Sequence, residues 1–162
     1  MTDILFPKLH KDGYRFLAIA AVTTFILLLI SNFLGLISFI LTIWVYYFFR
    51  DPERFPINDE NYLLSPADGT VSQIIETNGP SELGLENKTF TRISIFMNVF
   101  NCHVNRIPFS GKITQIFYKP GKYINASLDK ASEENERNYV KILSSNGDEL
   151  ILVQVAGLIA RR

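Results

Sequence analysis

The sequence predicts a mainly β protein, a compact β-sandwich or barrel-like domain preceded by a hydrophobic α-helical hairpin. Three observations lead there. The 34 residues of the stretch 16–49 carry no charge, whereas the remainder is an ordinary mixture of acids, bases and aromatics. After Arg50 the apolar residues fall into short runs bounded by glycine and proline, the pattern of strands rather than helices. Between two of these runs stands Asn146-Gly147, the strongest short-range sign of a β-hairpin.

As one straight helix the uncharged stretch would reach about 50 Å against a hydrocarbon core of about 30 Å, so a single span fits poorly. Turn-forming residues interrupt it at Ser31, Asn32, Phe33, Leu34 and Gly35, leaving two arms of about 16 residues each. Both flanks are basic, with Lys8, Lys11 and Arg15 before and Arg50 and Arg54 after. The positive-inside tendency places both flanks on the cytoplasmic side, which a hairpin satisfies and a single span does not. The second arm ends in Trp44, Tyr46, Tyr47, Phe48 and Phe49, aromatics suited to the headgroup level. A cleavable signal peptide is not expected, because the apolar region is too long and no small-residue cleavage pattern follows. The alternative of a buried hairpin in a soluble protein leaves too little chain to cover so much apolar surface. The expected organisation is a basic segment over 1–15, a membrane hairpin over 16–50 in the cell inner membrane, and a β-rich domain over 51–162 on its cytoplasmic side.

The overall formal net charge of zero hides little: residues 1–50 hold four Lys/Arg against two Asp, and residues 51–162 twelve Lys/Arg against fourteen Asp/Glu. A domain this close to neutral has no nucleic-acid signature. Cys102 is the only cysteine, so neither an intramolecular disulfide nor a cysteine-based zinc site can form, and its expected role is a small buried apolar residue.

Behind a charged, proline-broken connector at 51–56, strands are expected over 70–75, 91–100, 112–118, 139–143 and 149–155. One internal echo stands out, Pro66, Gly69, Val71, Ser72, Gln73 and Ile74 against Pro108, Gly111, Ile113, Thr114, Gln115 and Ile116. A proline-bounded turn and a glycine feeding a strand form a unit that two halves of a β domain could share.

Three segments could carry chemistry. Asp68 would be held in a turn before a strand, although Asp before Gly commonly serves local hydrogen bonding. His103, the only histidine after the hairpin, offers proton transfer near neutral pH, and Asn105 and Arg106 beside it could bind an anion. The polar stretch 120–137 reads as a solvated loop or a lid.

Taken in order, these segments resemble the phosphatidylserine decarboxylase family, in particular its short bacterial branch. The resemblance covers essentially the whole chain. Its motifs are Phe48-Phe49-Arg50-Asp51-Pro52-Glu53-Arg54, Ser65-Pro66-Ala67-Asp68-Gly69, the stretch from Ile95-Phe96-Met97 to His103-Val104-Asn105-Arg106, Pro120-Gly121-Lys122, and the run from Asp129 to Arg137. The resemblance implies a proenzyme that cleaves itself before a serine in a Gly-Ser dipeptide and turns that serine into a pyruvoyl group. That cofactor takes up the substrate amine and serves as the electron sink while carbon dioxide leaves, converting phosphatidylserine to phosphatidylethanolamine. It also implies as partners membrane lipid and a small pyruvoyl-bearing subunit from the same proenzyme, with homo-oligomerisation left open.

Carried over by position, Asp68 matches the family's triad aspartate for self-cleavage, and His103 the first histidine of a His-x-x-His segment that assists decarboxylation or reprotonation. Arg106 stands where the second histidine would be. An arginine stays protonated and cannot serve as an ordinary base, so its expected role is to bind the substrate carboxylate or phosphate. Asn135, Glu136 and Arg137 match a segment near the substrate. No Gly-Ser dipeptide occurs in the chain, which is therefore expected to be part of a proenzyme large subunit. The competing reading is a non-catalytic, membrane-tethered lipid-binding or carrier β domain. A lipoyl carrier would display a lysine at a hairpin tip, which Asn146-Gly147 lacks, and a phosphocarrier would set a second histidine beside His103.

Overall fold

The computed structural model describes residues 6–57, 59, 62–125 and 131–161. They form two compact units, Met1–Asn58 with Met97–Arg106, and Asp59–Phe96 with Ile107–Arg162.

The first unit is built on two apolar helices, α1 (Gly13–Ile30) and α2 (Asn32–Phe48). The reversal between them is tighter than the five-residue turn expected. Ser31 alone is extended, at φ −159° and ψ 130°; it donates its N–H to Leu27 O and accepts from the N–H of Gly35. Asn32 and Gly35 join α2, because a continued helix satisfies backbone groups that a longer turn would leave bare in an apolar setting. Gly35 is needed for close packing, since a β-carbon there would stand 2.3 Å from Leu28 Cδ2. Midway along, Thr24 Oγ1 lies 2.8 Å from Ser38 Oγ and 2.9 Å from Thr42 Oγ1, while Thr42 donates to Ser38 O at 2.9 Å. With the proton of Thr42 committed to that carbonyl, Thr24 donates to Thr42 and Ser38 donates to Thr24, so all three hydroxyls are satisfied between the helices. Small and hydroxyl residues therefore face inward, and large ones such as Phe16, Ile19, Phe25, Leu29, Phe33 and Phe39 face outward. At 1.5 Å per residue α1 extends about 27 Å, long and apolar enough to cross a membrane; α2, at 17 residues, is a shorter apolar helix.

The foot of the hairpin is closed by its own flanks. Leu9 bridges Arg50, with His10 N–H on Phe49 O at 2.9 Å and Asp51 N–H on Lys8 O at 2.6 Å. The Tyr46 hydroxyl donates to Pro7 O at 2.5 Å, and the rings of Phe16 and Phe49 stack at 5.0 Å. Both basic flanks thus lie at one end of the hairpin, as expected for it.

The second unit contains two antiparallel sheets. Strands β1 (Thr70–Asn78) and β2 (Thr89–Phe96) form one; β3 (Gly111–Lys119), β4 (Arg137–Ser144) and β5 (Glu149–Val155) form the other in that order, with a short helix, α3 (Ala131–Glu134), between β3 and β4. The mainly β class with a helical hairpin holds, but the described strands do not close into a barrel. The strand expected over 91–100 stops at Phe96, because Asn98 Oδ1 accepts the N–H of Phe100 and Asn98 O that of Asn101, curling the chain away. The Asn146-Gly147 turn forms as expected, with Gly147 at φ 91° and Ser144 N–H on Asp148 O.

The excursion between β1 and β2 supplies the core. Leu83 and Leu85 bury themselves against Tyr139 of β4, with Phe90 and Ile151 packed around them. Glu149 accepts from Lys141 at 2.7 Å and Lys88 at 2.8 Å, which holds its carboxyl at a pKa of about 2.

The internal echo is structural. Pairing slips between Val71 and Gln73 in β1 and between Ile113 and Gln115 in β3, so the hydroxyl residue of each repeat is the extra residue of a bulge. Each hydroxyl crosses to the neighbouring strand, Ser72 to Ser94 O at 3.2 Å and Thr114 to Lys141 O at 3.3 Å. Each glycine is pressed onto that strand as well. A β-carbon would stand 2.5 Å from Phe96 O at Gly69 and 2.6 Å from Leu143 O at Gly111. Gly69→Ala and Gly111→Ala should therefore cost similar amounts, about 1–3 kcal/mol each, in denaturant unfolding. A loss at one position only would show that the two hairpins are not equivalent.

Candidate functional site

The expected site residues divide between the two units. Asp68 lies half-buried in a bend that ends at Gly69 and feeds β1. His103 and Arg106 come together on the loop Met97–Arg106, which belongs to the helical unit, and Asn135, Glu136 and Arg137 meet at the start of β4.

The loop carrying His103 is fastened to the foot of the hairpin. The Arg50 guanidinium donates to Phe100 O at 2.9 Å and Tyr47 O at 2.6 Å, and the buried Cys102 thiol donates to Arg50 O at 3.2 Å. Cys102 thus has the buried role expected of it. The imidazole of His103 stacks on Phe48 with centroids 4.3 Å apart. Its Nδ1 lies 3.0 Å from Asn101 O, and since a carbonyl only accepts, Nδ1 carries the proton and Nε2 keeps its lone pair. Burial and then the nearby Arg50 charge depress its pKa below the ordinary 6.5, outweighing the Asn101 hydrogen bond that raises it. The ring is a neutral proton acceptor at pH 7.

Arg106 is paired. Its Nη2 donates to Asp51 Oδ1 at 2.6 Å and to Pro52 O at 2.7 Å, so it secures the connector after α2. Sequence reasoning placed Asp51 in a connector and in a family motif, without a role; its acidic charge 55 positions before Arg106 carried no local sign of the contact.

The segment 120–137 is not uniformly solvated, contrary to the loop reading; residues 126–130 lie outside the described residues. Asn135 is 1% exposed. Its Nδ2 donates to Ile124 O and Ala156 O, and its Oδ1 accepts Ile124 N–H, all at 2.8 Å. Lys122 bridges Asn135 in parallel, and Gly121 fits only as glycine, since a β-carbon would stand 2.4 Å from Glu136 N. Buried Glu136 accepts the Tyr123 hydroxyl at 2.5 Å, and its carbonyl accepts Ala156 N–H.

Arg137 is held by weaker contacts, Nε to Asn135 O at 3.3 Å and Nη1 to the Tyr139 hydroxyl at 3.2 Å. Its Nη2 is buried without a hydrogen-bond partner among the described residues. A buried cationic donor without an acceptor is costly, which fits an oxygen supplied by a ligand or by chain outside those residues. Opposite it on β3, Lys119 is neutralised by Glu82 at 2.7 Å, and the hydrogen bond from Lys119 holds Glu82 below the usual carboxylate range.

For Asn135→Ala, unpaired groups at Ile124 and Ala156 should each cost about 1–3 kcal/mol. Asn135→Asp, which keeps the shape but turns donors into acceptors, should do no better; an unfolding midpoint equal to the parent's in either variant would show that the clamp is not holding. His103 gives a pH test. The unfolded chain takes up the proton first as pH falls, so the contribution of neutral His103 is complete above about 6.5 and is lost as pH drops below it through the lower folded-state value. His103→Gln should flatten that acid-side decline in denaturant midpoints, and an unchanged slope would remove His103 as its source.

With this geometry in place, comparison with known proteins is specific. A family profile described as phosphatidylserine decarboxylase matches residues 41–162. The chain is 66% identical over its full 162 residues to the phosphatidylserine decarboxylase proenzyme of Pelagibacter ubique (strain HTCC1062), covering 75% of that protein. It is 52% identical over its full length to the proenzyme of Ruegeria pomeroyi, covering 74% of it. Against that of Rickettsia prowazekii it is 52% identical over 159 residues, 98% of this chain and 68% of the relative. A match of this extent and identity places the chain in the phosphatidylserine decarboxylase family.

Proposed function

We propose that this chain serves in the pyruvoyl-dependent decarboxylation of phosphatidylserine to phosphatidylethanolamine, as part of the large subunit of a carboxy-lyase proenzyme. The observation that carries the chemical reading is the tautomer of His103. Asn101 O holds the proton on Nδ1, and the depressed pKa keeps Nε2 available as a base.

The pyruvoyl group supplies the electron sink when bound. No Gly-Ser dipeptide lies in these 162 residues, so its serine precursor must come from elsewhere in the proenzyme. The residues of this chain bind, orient and move a proton. His103 Nε2 holds or returns the proton at the reacting carbon. The Arg106 contacts with Asp51 and Pro52 both use Nη2, and its other guanidinium N–H groups donate to the substrate carboxylate or phosphate. The buried Nη2 of Arg137 fits an acceptor oxygen of the ligand, and Asn135 and Glu136 enter the binding set by fixing the backbone from which Arg137 projects. Asp68 supports self-cleavage by orienting a base.

The hairpin brings this chemistry to a lipid that resides in a bilayer. Residues 16–50 lie in the inner membrane, and the basic flanks hold residues 1–15 and the domain over 51–162 at its cytoplasmic face.

The test uses a proenzyme of the relatives' full length. Asp68→Asn should leave the precursor uncleaved on a denaturing gel; normal processing would remove Asp68 from maturation. His103→Ala should be cleaved yet lose turnover by about 100-fold or more, the scale of general acid–base catalysis. Unchanged decarboxylation in cleaved His103→Ala would overturn its role.

A further inference from the structure

A cleft of about 850 Å³ opens at the foot of the hairpin, wholly within the helical unit. Its apolar wall is Ile40, Ile43, Trp44, Tyr47 and Phe48 of α2, faced by Phe100. That wall continues the outward apolar surface of α2, where Phe39 and Ile40 are exposed. Where α2 ends, the edge of the lining becomes charged, with Arg50, Glu53 and Arg54.

The charge at this edge is unusual in how it is held. The Arg50 guanidinium is pinned by two neutral carbonyls, Tyr47 O and Phe100 O, and no carboxylate pairs with it among the described residues. Its position is fixed while its charge is left uncancelled. Two aromatic side chains beside it, Phe55 and Phe100, are 88% and 72% exposed, a poor arrangement in water. An apolar slot continuous with the outer face of an apolar helix and ending in a fixed cation matches an amphiphile with an acyl chain at one end and an anionic phosphate at the other.

We propose that this cleft docks one anionic glycerophospholipid of the surrounding bilayer, an acyl chain lying along Ile40, Ile43 and Trp44 and the phosphate meeting Arg50. Selection here is by net charge at Arg50, so a headgroup without an amine is bound as well as one that carries it. The proposal rests on the membrane reading of the hairpin but not on catalysis. It also places lipid against Phe48, whose ring carries His103.

Trp44 is the only tryptophan in the chain, so its fluorescence reports the cleft directly. The full chain is reconstituted in phosphatidylcholine vesicles containing an equal small fraction of either brominated phosphatidylglycerol or brominated phosphatidylcholine. Brominated phosphatidylglycerol should quench Trp44 several-fold more strongly, and unlabelled phosphatidylglycerol, but not inorganic phosphate, should relieve it. The preference should fall to parity in Arg50→Gln. Should that variant fail to fold, the lipid comparison in the parent chain still decides. A second reporter, Trp44→Phe with Leu29→Trp near the hairpin tip, should be quenched equally by both lipids. Equal quenching of Trp44 by the two lipids, the same preference at the Leu29→Trp reporter, or relief by inorganic phosphate would each overturn the proposal. Absence of quenching by either lipid would overturn it together with the membrane reading, while leaving the decarboxylase assignment intact.

Discussion

Arg50 and Asp51 stand where the backbone leaves an apolar helix, and two segments distant in sequence are tied to this pair. The main chain of Arg50 bridges Leu9 and accepts the Cys102 thiol, its side chain holds Tyr47 and Phe100, and Asp51 takes the Arg106 guanidinium. Hydrogen bonds to an ionised group are stronger than neutral ones. Gathering several of them on two consecutive residues fixes the loop Met97–Arg106 to the end of α2. The stacking of His103 on Phe48 depends on that attachment. The residue best suited to proton transfer is thus positioned by the foot of the helical hairpin.

The β unit is stabilised by a different device. Its two bulged hairpins repeat one local solution, a glycine pressed on a carbonyl followed by a hydroxyl residue that crosses to the partner strand. A bulge adds local twist and interrupts regular pairing. The buried apolar cluster is small, and much of the remaining order comes from polar groups that are fully used. Asn135 employs both of its amide protons and its oxygen to join residues 124, 135 and 156. Arg137, whose Nη2 is the only buried side-chain donor without a partner among the described residues, lies two positions further on.

These two arrangements suit a reaction on a lipid. An uncharged hairpin with hydroxyls turned inward and large apolar groups outward satisfies its polar groups internally, which an apolar surrounding demands. His103, Arg50, Arg106 and the cleft all occur where this hairpin ends. In the β unit, Arg137 contributes a buried cationic donor of its own.

Much of this was legible in the residues themselves. An uncharged run flanked by Lys8, Lys11, Arg15, Arg50 and Arg54 dictates a helical hairpin, because charge and hydropathy act through composition alone. The strand β5 and the Asn146-Gly147 turn follow from alternation and from the backbone angle glycine permits, both local properties. The family motifs marked Asp68, His103 and Arg137 without showing how they are held. What only the tertiary structure decided depends on partners far apart in sequence. Ser31 suffices for the helix reversal because Leu28 and Gly35 can pack together, and β2 ends early where Asn98 turns the chain toward the loop on Arg50. Arg106 is engaged because Asp51 lies beside it after folding, and Asn135 is buried in a polar stretch because Ile124 and Ala156 offer the groups it needs. Composition and local angles determine which elements form; the pairing of polar groups removed from water determines where each functional side chain is held.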